Sequence, residues 1–254
     1  MGGALLAGWH KSYAGRMEFS VITPSTPASQ LEQVSYYTRI DDMPASPTPD
    51  VIVFAVKPQQ LDTVLPAYAK RFSGSPILFI SVAAGKSVDY FKSHLGRDAQ
   101  VIRAMPNTPS LIGQGMTVLY APREVPLPMQ ETANTLMAAV GDTASIEDEL
   151  HMDAVAAISG SGPAYVFYFL DCLTQAGVQA GLNKALAQKL ALRTVAGAAA
   201  LASNGEESFE QLRQNVTSPG GMTEAALQIL MSDKGLEPLL SEAVQAAKRR
   251  ASQL

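Results

Sequence analysis

The chain has 254 residues and a net charge of −4, with 47% of its residues hydrophobic and 17% charged. That balance excludes a disordered chain and allows one large domain or two modest ones with real cores. A mildly acidic chain offers no field for nucleic acid or an anionic membrane, so neither is expected as a partner, and any bound anion must be gripped locally.

The N-terminus, Met1-Gly2-Gly3-Ala4-Leu5-Leu6, puts small residues at the head of an apolar helix. In a dinucleotide-binding βαβ unit such a helix follows a strand ending in two further glycines, and Gly2 would be the last glycine of that loop. Neither the strand nor those glycines are present, and small residues opening an apolar helix usually serve packing alone. The first strand of a doubly wound sheet is central. Without it, the second and fourth strands are expected to lose their shared neighbour and to leave edges unpaired or paired elsewhere. We expect the natural chain to begin upstream, with Met1 an internal methionine.

From about residue 18 to 146, short β-branched runs alternate with helical patterns. EFSVIT (18–23), DVIVFAV (50–56), PILFISV (76–82), QVIRAM (100–105) and MTVLYA (116–121) are the strand candidates. QLDTVLPAYAKRF, VDYFKSHL and MQETANTLMAAVG are the helices between them. Near-continuous apolar strands separated by helices predict a parallel sheet covered on both faces. Residues 1–146 are therefore expected to form an α/β, Rossmann-like, doubly wound domain lacking its first strand. The second strand runs into Pro24-Ser25-Thr26-Pro27, with no acid where a ribose-binding carboxylate would stand. Hydroxyls there welcome a 2′-phosphate, which favours NADPH over NADH and makes Ser25 a candidate contact. Three strand ends would line one crevice: Ala55-Val56-Lys57-Pro58, Ala83-Ala84-Gly85 and Pro106-Asn107.

After residue 147 the strands vanish. Alanine- and leucine-rich helices are expected over 148–180, 184–203, 208–214, 221–231 and 238–252, an all-α domain spanning 147–254. The uncharged run from Ala154 to Leu170 is too short for a comfortable membrane span and contains Gly160, Gly162 and Pro163. A helix apolar on every side belongs in a core or a subunit interface. Cys172 within this region is expected to be a buried structural thiol. His10, His94 and His151 have no metal-ligand spacing, so no metal is expected. With no signal peptide, a cytoplasmic location is expected.

Thr217-Ser218-Pro219-Gly220-Gly221-Met222-Thr223 is a bare, flexible turn at the head of a helix. It is either an ordinary loop or an anion seat in which glycine backbone and the amides of Gly221, Met222 and Thr223 meet a carboxylate. Together with AVKP and MPNTP, the stretches ISGSGPAYVFYFLDCL (158–173) and LRQNVTSPGGMTEAAL (212–227) closely resemble the pyrroline-5-carboxylate reductase family, over essentially the whole chain from Gly2.

That resemblance implies reduction of a cyclic imine to L-proline by NADPH, or less readily NADH, the last step of proline biosynthesis. It implies a homodimer formed by exchange of the helical domain, with further assembly into a decamer. It places Asp42 near the adenosine, where the family often has Asn, and Asn215 on the nicotinamide side of the cofactor. Pro106 and Asn107 would border the nicotinamide pocket. Gly220, Gly221 and Met222 would hold the substrate carboxylate, Thr223 would be the catalytic hydroxyl at the ring nitrogen, and Glu149 would reach the substrate near that nitrogen. Taken on their own, Thr223 is also a helix-start residue and Glu149 a solvated first-turn acid. The Ser159–Pro163 run allows close backbone approach or a simple helix kink. No residue stands out as a general acid, and an already protonated iminium needs none, so catalysis would rest on orientation and electrostatics. Two rivals remain. One is a catalytically silent, dimer-forming homologue without a phosphate loop. The other is a hydroxyacid dehydrogenase relative, which would place a lysine near SGSGPAY, where none stands.

Overall fold

The computed structural model describes residues 1–25 and 30–253. The chain divides into two compact units, Met1–Ser161 with Ala247–Leu254, and Gly162–Ala246. The division therefore falls later than the 146–147 boundary expected from the loss of strand patterns.

In the first unit, helix α1 (Gly2–Tyr13) precedes strands β1 (Phe19–Ile22) and β2 (Val34–Tyr37). Strand β3 (Val51–Phe54), helix α2 (Leu61–Phe72), strand β4 (Leu78–Ser81), helix α3 (Val88–Leu95) and strand β5 (Gln100–Met105) follow. Strand β6 (Gly115–Tyr120), helix α4 (Leu127–Ala138) and strand β7 (Gly141–Ile146) complete the sheet region. Strands β3 to β7 lie in sequence order in one sheet, while β1 and β2 pair only with each other. Among the described residues, no strand pairs with both β1 and β3, in keeping with the expected absence of a shared neighbour. Every residue of β4 is buried, whereas β1 has none buried and β3 only Phe54.

Side-chain alternation sorts the core into two layers. Leu78, Ile80, Ile102 and Ala104 point to one face, where Leu5 and Trp9 of α1 and Leu136 and Met137 of α4 cover them. Phe54, Phe79 and Val101 point to the other, under Leu61, Leu65 and Phe72 of α2 and Val88, Phe91 and Leu95 of α3. Trp9 meets its polar need by donating from Nε1 to the Leu136 carbonyl at 2.7 Å.

Several features depart from the sequence reading, beginning with strand β2, which was not among the strand candidates. The β5–β6 pair is antiparallel, although β3–β4, β4–β5 and β6–β7 are parallel. The 106–114 connection holds only a 3-10 turn (Thr108–Ile112), too little for a crossover. Strand β7 escaped notice because it is a polar edge strand, half-buried at best.

Helix 148–180 is also not continuous. A 3-10 turn at Glu149–His151 leads into α5 (Met152–Val155), then a π-turn over Ala156–Gly160, before α6 (Gly162–Gln179). In the second unit α6 packs against α7 (Lys184–Asn204) as a hairpin. A Cβ on Gly177 would sit 3.1 Å from that of Ala187, so glycine lets the helices approach closely. Asn183 caps α7 by accepting from Leu186 N–H at 2.9 Å. Helices α8 (Phe209–Asn215), α9 (Met222–Leu230) and α10 (Leu236–Ala251) follow. No residue of α6 is buried, and Phe167 and Tyr168 are 63% and 71% exposed. The α6 part of the apolar run is thus not core within one chain, and Cys172 is exposed rather than buried.

Gly141, with φ of +147°, opens β7 where a Cβ would collide with the backbone of Gly115. Gly141→Ala is expected to lower unfolding stability by about 1–3 kcal/mol or more, read by denaturant titration.

Candidate functional site

Polar groups collect at the carboxyl ends of β3, β4 and β5, because the strands themselves are apolar on both faces. Gly2 heads α1 within reach of the β3 end: a Cβ there would lie 3.1 Å from the Ala55 Cβ. The first turn of α1 carries no acid, and its unpaired amides with the macrodipole suit an anion. This close, small-residue approach fits a dinucleotide pyrophosphate. Ala55 and Lys57 are exposed, and Pro58 opens a 3-10 turn leading into α2.

After β4, Ala83 N–H donates to Ser81 Oγ at 3.2 Å, and Gly85 takes φ of +73°, turning the chain past Ala84 into the Ser87 cap of α3. After β5, Pro106 is buried and Asn107 ties three segments together. Its Oδ1 accepts from Met116 N–H at 2.9 Å, and its Nδ2 donates to the Ser159 carbonyl and Oγ, each at 3.3 Å. The MPNTP loop is thereby fastened to the π-turn, a feature often found at functional sites.

Glu149 was singled out as a substrate contact, and its surroundings are specific. Oε1 accepts from Val88 N–H, at the head of α3, and from Arg103 Nη1, both at 2.8 Å. It accepts from two elements distant in sequence rather than serving only its own helix as a solvated acid. Tyr120 lies close enough to be affected: burial, then the charge of Glu149, raises its phenol above the usual range.

Other candidates stand further out. Ser25 is exposed at the edge of the described residues, and the Thr26–Pro27 part of the proposed phosphate contact lies outside them. Asp42 accepts from Thr38 Oγ1 at 2.7 Å and from Arg39 N–H at 3.0 Å. The Thr38 hydrogen bond above all holds its carboxyl below the usual range.

In the second unit, Asn215 at the end of α8 donates to Glu207 Oε1, just before that helix, and accepts from Gln211 Nε2 within it, both at 2.8 Å. Gly220 has φ of +70°, a conformation that favours glycine. The TSPGG turn also differs from the bare cradle expected. Gly221 N–H donates back to the Ser218 carbonyl at 3.0 Å, so this amide serves the turn. Gly220 N–H donates to Glu224 Oε2 at 2.8 Å, an acid reaching back from the first turn of α9. The amides of Met222 and Thr223 have no partner among the described residues, and both side chains are exposed.

Sequence reasoning missed Arg103, Ser81 and Glu224. Arg103 sits inside an apolar run, where a lone charge was the only available signal.

A glycine-headed helix over a mostly parallel sheet, with small and polar residues gathered at successive strand ends, defines a dinucleotide-binding α/β protein joined to a helical unit. Comparison with known proteins makes this particular. The family model described as pyrroline-5-carboxylate reductase dimerisation matches residues 149–254. The pyrroline-5-carboxylate reductase of Synechocystis is 40% identical over 246 residues, 96% of this chain and 90% of that protein. That of Pseudomonas aeruginosa is 40% identical over 205 residues, 81% of this chain and 74% of the relative. Among solved structures, a pyrroline-5-carboxylate reductase from Coxiella burnetii superposes with a TM-score of 0.87 at 35% identity, covering 99% of this chain and 94% of that one. The Plasmodium falciparum pyrroline carboxylate reductase with NADP bound gives 0.86 at 29% identity, covering 100% of this chain and 94% of that one. The chain belongs to the pyrroline-5-carboxylate reductase family.

The helices flanking the β3 and β4 ends are tied by Tyr90, whose hydroxyl donates to Asp62 Oδ1 at 2.7 Å. Burial first, then Asp62, pushes the Tyr90 phenol up to about 12 from 10.0. A raised pKa means stability present below the unfolded value and lost as pH climbs through the folded one. The wild-type unfolding midpoint is expected to fall relative to Tyr90→Phe between pH 10 and about 12.

Proposed function

We propose that this chain reduces 1-pyrroline-5-carboxylate to L-proline, using NADPH and accepting NADH, as the closing step of proline biosynthesis. One observation carries the reading: the 40% identity to the Synechocystis reductase runs through 96% of this chain. That span takes in the strand-end loops, Glu149 and the TSPGG turn.

NADPH, when bound, supplies the hydride. The chain's own residues do the rest. The head of α1 at Gly2, with Ala55-Val56-Lys57-Pro58 and Ala83-Ala84-Gly85, holds the dinucleotide. Ser25 and Asp42 serve its adenosine end, and Pro106, Asn107 and Asn215 its nicotinamide end. The amides of Met222 and Thr223, on a turn shaped by Gly220 and Gly221, take the substrate carboxylate, because unpaired donors at a helix start favour an anion. In this reading Thr223 Oγ1 hydrogen-bonds the ring nitrogen, and the Glu149 carboxylate stabilises iminium charge. A protonated imine arrives with its proton, so these groups hold it in place rather than transfer it.

Residues 147–254 form the dimerisation region in this reading, and the working state is a homodimer made by exchange of helical domains, assembling further to a decamer. The match to the family's dimerisation model and the uncovered apolar faces of α6 support that arrangement. No helix among the described residues is long and apolar enough to cross a membrane, and we assign the protein to the cytoplasm.

Mixing the purified chain with imine substrate and NADPH should lower nicotinamide absorbance as L-proline forms; no loss of absorbance would favour the silent homologue. Thr223→Ala should cut turnover by roughly ten- to a thousandfold, about 1.4–4 kcal/mol of barrier. An unchanged rate would remove Thr223 from the mechanism.

A further inference from the structure

Arg103 is an anomaly in its strand. It lies in β5 among Val101, Ile102, Ala104 and Met105, and is only 5% exposed. Its register neighbours are Ser81 on β4 and Tyr120 on β6. Nη1 donates to Glu149 Oε1 at 2.8 Å, while Nη2 is buried with no partner among the described residues. An idle charged donor in a core weakens a fold relative to an apolar side chain of similar volume. Packing therefore gives no reason for an arginine here.

The reason lies in what Arg103 does to its partner. Glu149 Oε1 receives two donors, Arg103 Nη1 from the middle of the sheet and Val88 N–H from the head of α3. Two donors from separately anchored elements on one oxygen restrict how the carboxylate can rotate. Oε2 receives no donor among the described residues, and the Glu149 side chain keeps 24% of its surface exposed. One oxygen is held, and the other is left to accept.

We propose that Arg103 is a positioning residue: by fixing Glu149 Oε1 it presents Oε2 to the ring N–H of the protonated cyclic imine. This rests on the role given to Glu149 above. Arg103 does not touch the substrate in this account, and no proton is transferred. Its effect is on the geometry of a single acceptor, where a displacement of about 1 Å can cost on the order of a hundredfold.

A mutant cycle tests it, comparing the wild-type protein with Arg103→Met, Arg103→Lys, Glu149→Gln and the Arg103→Met/Glu149→Gln pair. Kinetics are measured against imine at saturating NADPH and against NADPH at saturating imine. Arg103→Met should lower kcat/KM for the imine by roughly ten- to a hundredfold while the NADPH KM stays within about twofold. Arg103→Lys, which keeps the charge but not the fork, should recover part of the loss. In the Glu149→Gln background, Arg103→Met should add almost nothing, because coupled residues are not additive.

Losses that multiply in the double variant, or an NADPH KM that rises in step, would overturn the proposal and leave Arg103 a structural residue. Unchanged kinetics in Arg103→Met would do the same. Unchanged kinetics in Glu149→Gln alone would instead sink the role of Glu149 itself, and the proposal with it. If Arg103→Met fails to fold, the cycle runs with Arg103→Lys. A loss for the imine that disappears beside Glu149→Gln then supports the proposal, and one that persists overturns it.

Discussion

A strand buried on both faces can hand its chain to the outside only at its ends. Strand β4 is buried throughout and β5 almost throughout, so neither surface of the sheet centre has room for solvent or ligand. Chemistry is pushed to the carboxyl ends, where the backbone must turn and where helix starts supply unpaired amides. The small residues at Ala55, Ala83 to Gly85 and Pro106 follow from that constraint. So does the cost of the exception, Arg103, which carries a charge into the layer that excludes it.

The same constraint explains what the sequence made legible. Apolar runs bounded by glycine and proline located β1 and β3 to β6, and the 3.6-residue pattern located α2, α3 and α4. Strand β7 was not legible because a half-exposed edge strand, Gly141-Asp142-Thr143-Ala144-Ser145-Ile146, needs few apolar residues. The antiparallel turn between β5 and β6 was equally hidden, since strand direction depends on the length of a connection more than on its composition. The break at 156–161 was foreshadowed by Gly160 and Gly162, but a π-turn is a matter of backbone register that side chains do not announce.

At the candidate site, the sequence offered motif residues and hid their partners. Glu149 entered only through the family resemblance, and nothing in the chain order connected it to Arg103 or Val88, which lie 46 and 61 residues away. Likewise the TSPGG turn looked free of charge because Glu224 stands just past it, and only the fold shows that acid reaching back to Gly220. Cys172 was misjudged, and the apolar α6 was left open between core and subunit interface, for one reason: hydrophobicity states that a surface will be covered, not by what.

That uncovered surface has a thermodynamic consequence. In the proposed dimer, an eighteen-residue helix with no buried side chain draws on α7 of its own chain and also on a neighbour it must meet by diffusion. Folding of that unit and association then become one equilibrium, governed by mass action. Dilution acts on it as a denaturant would, and a substitution on α6 far from any chemistry would show itself first as activity lost at low enzyme concentration.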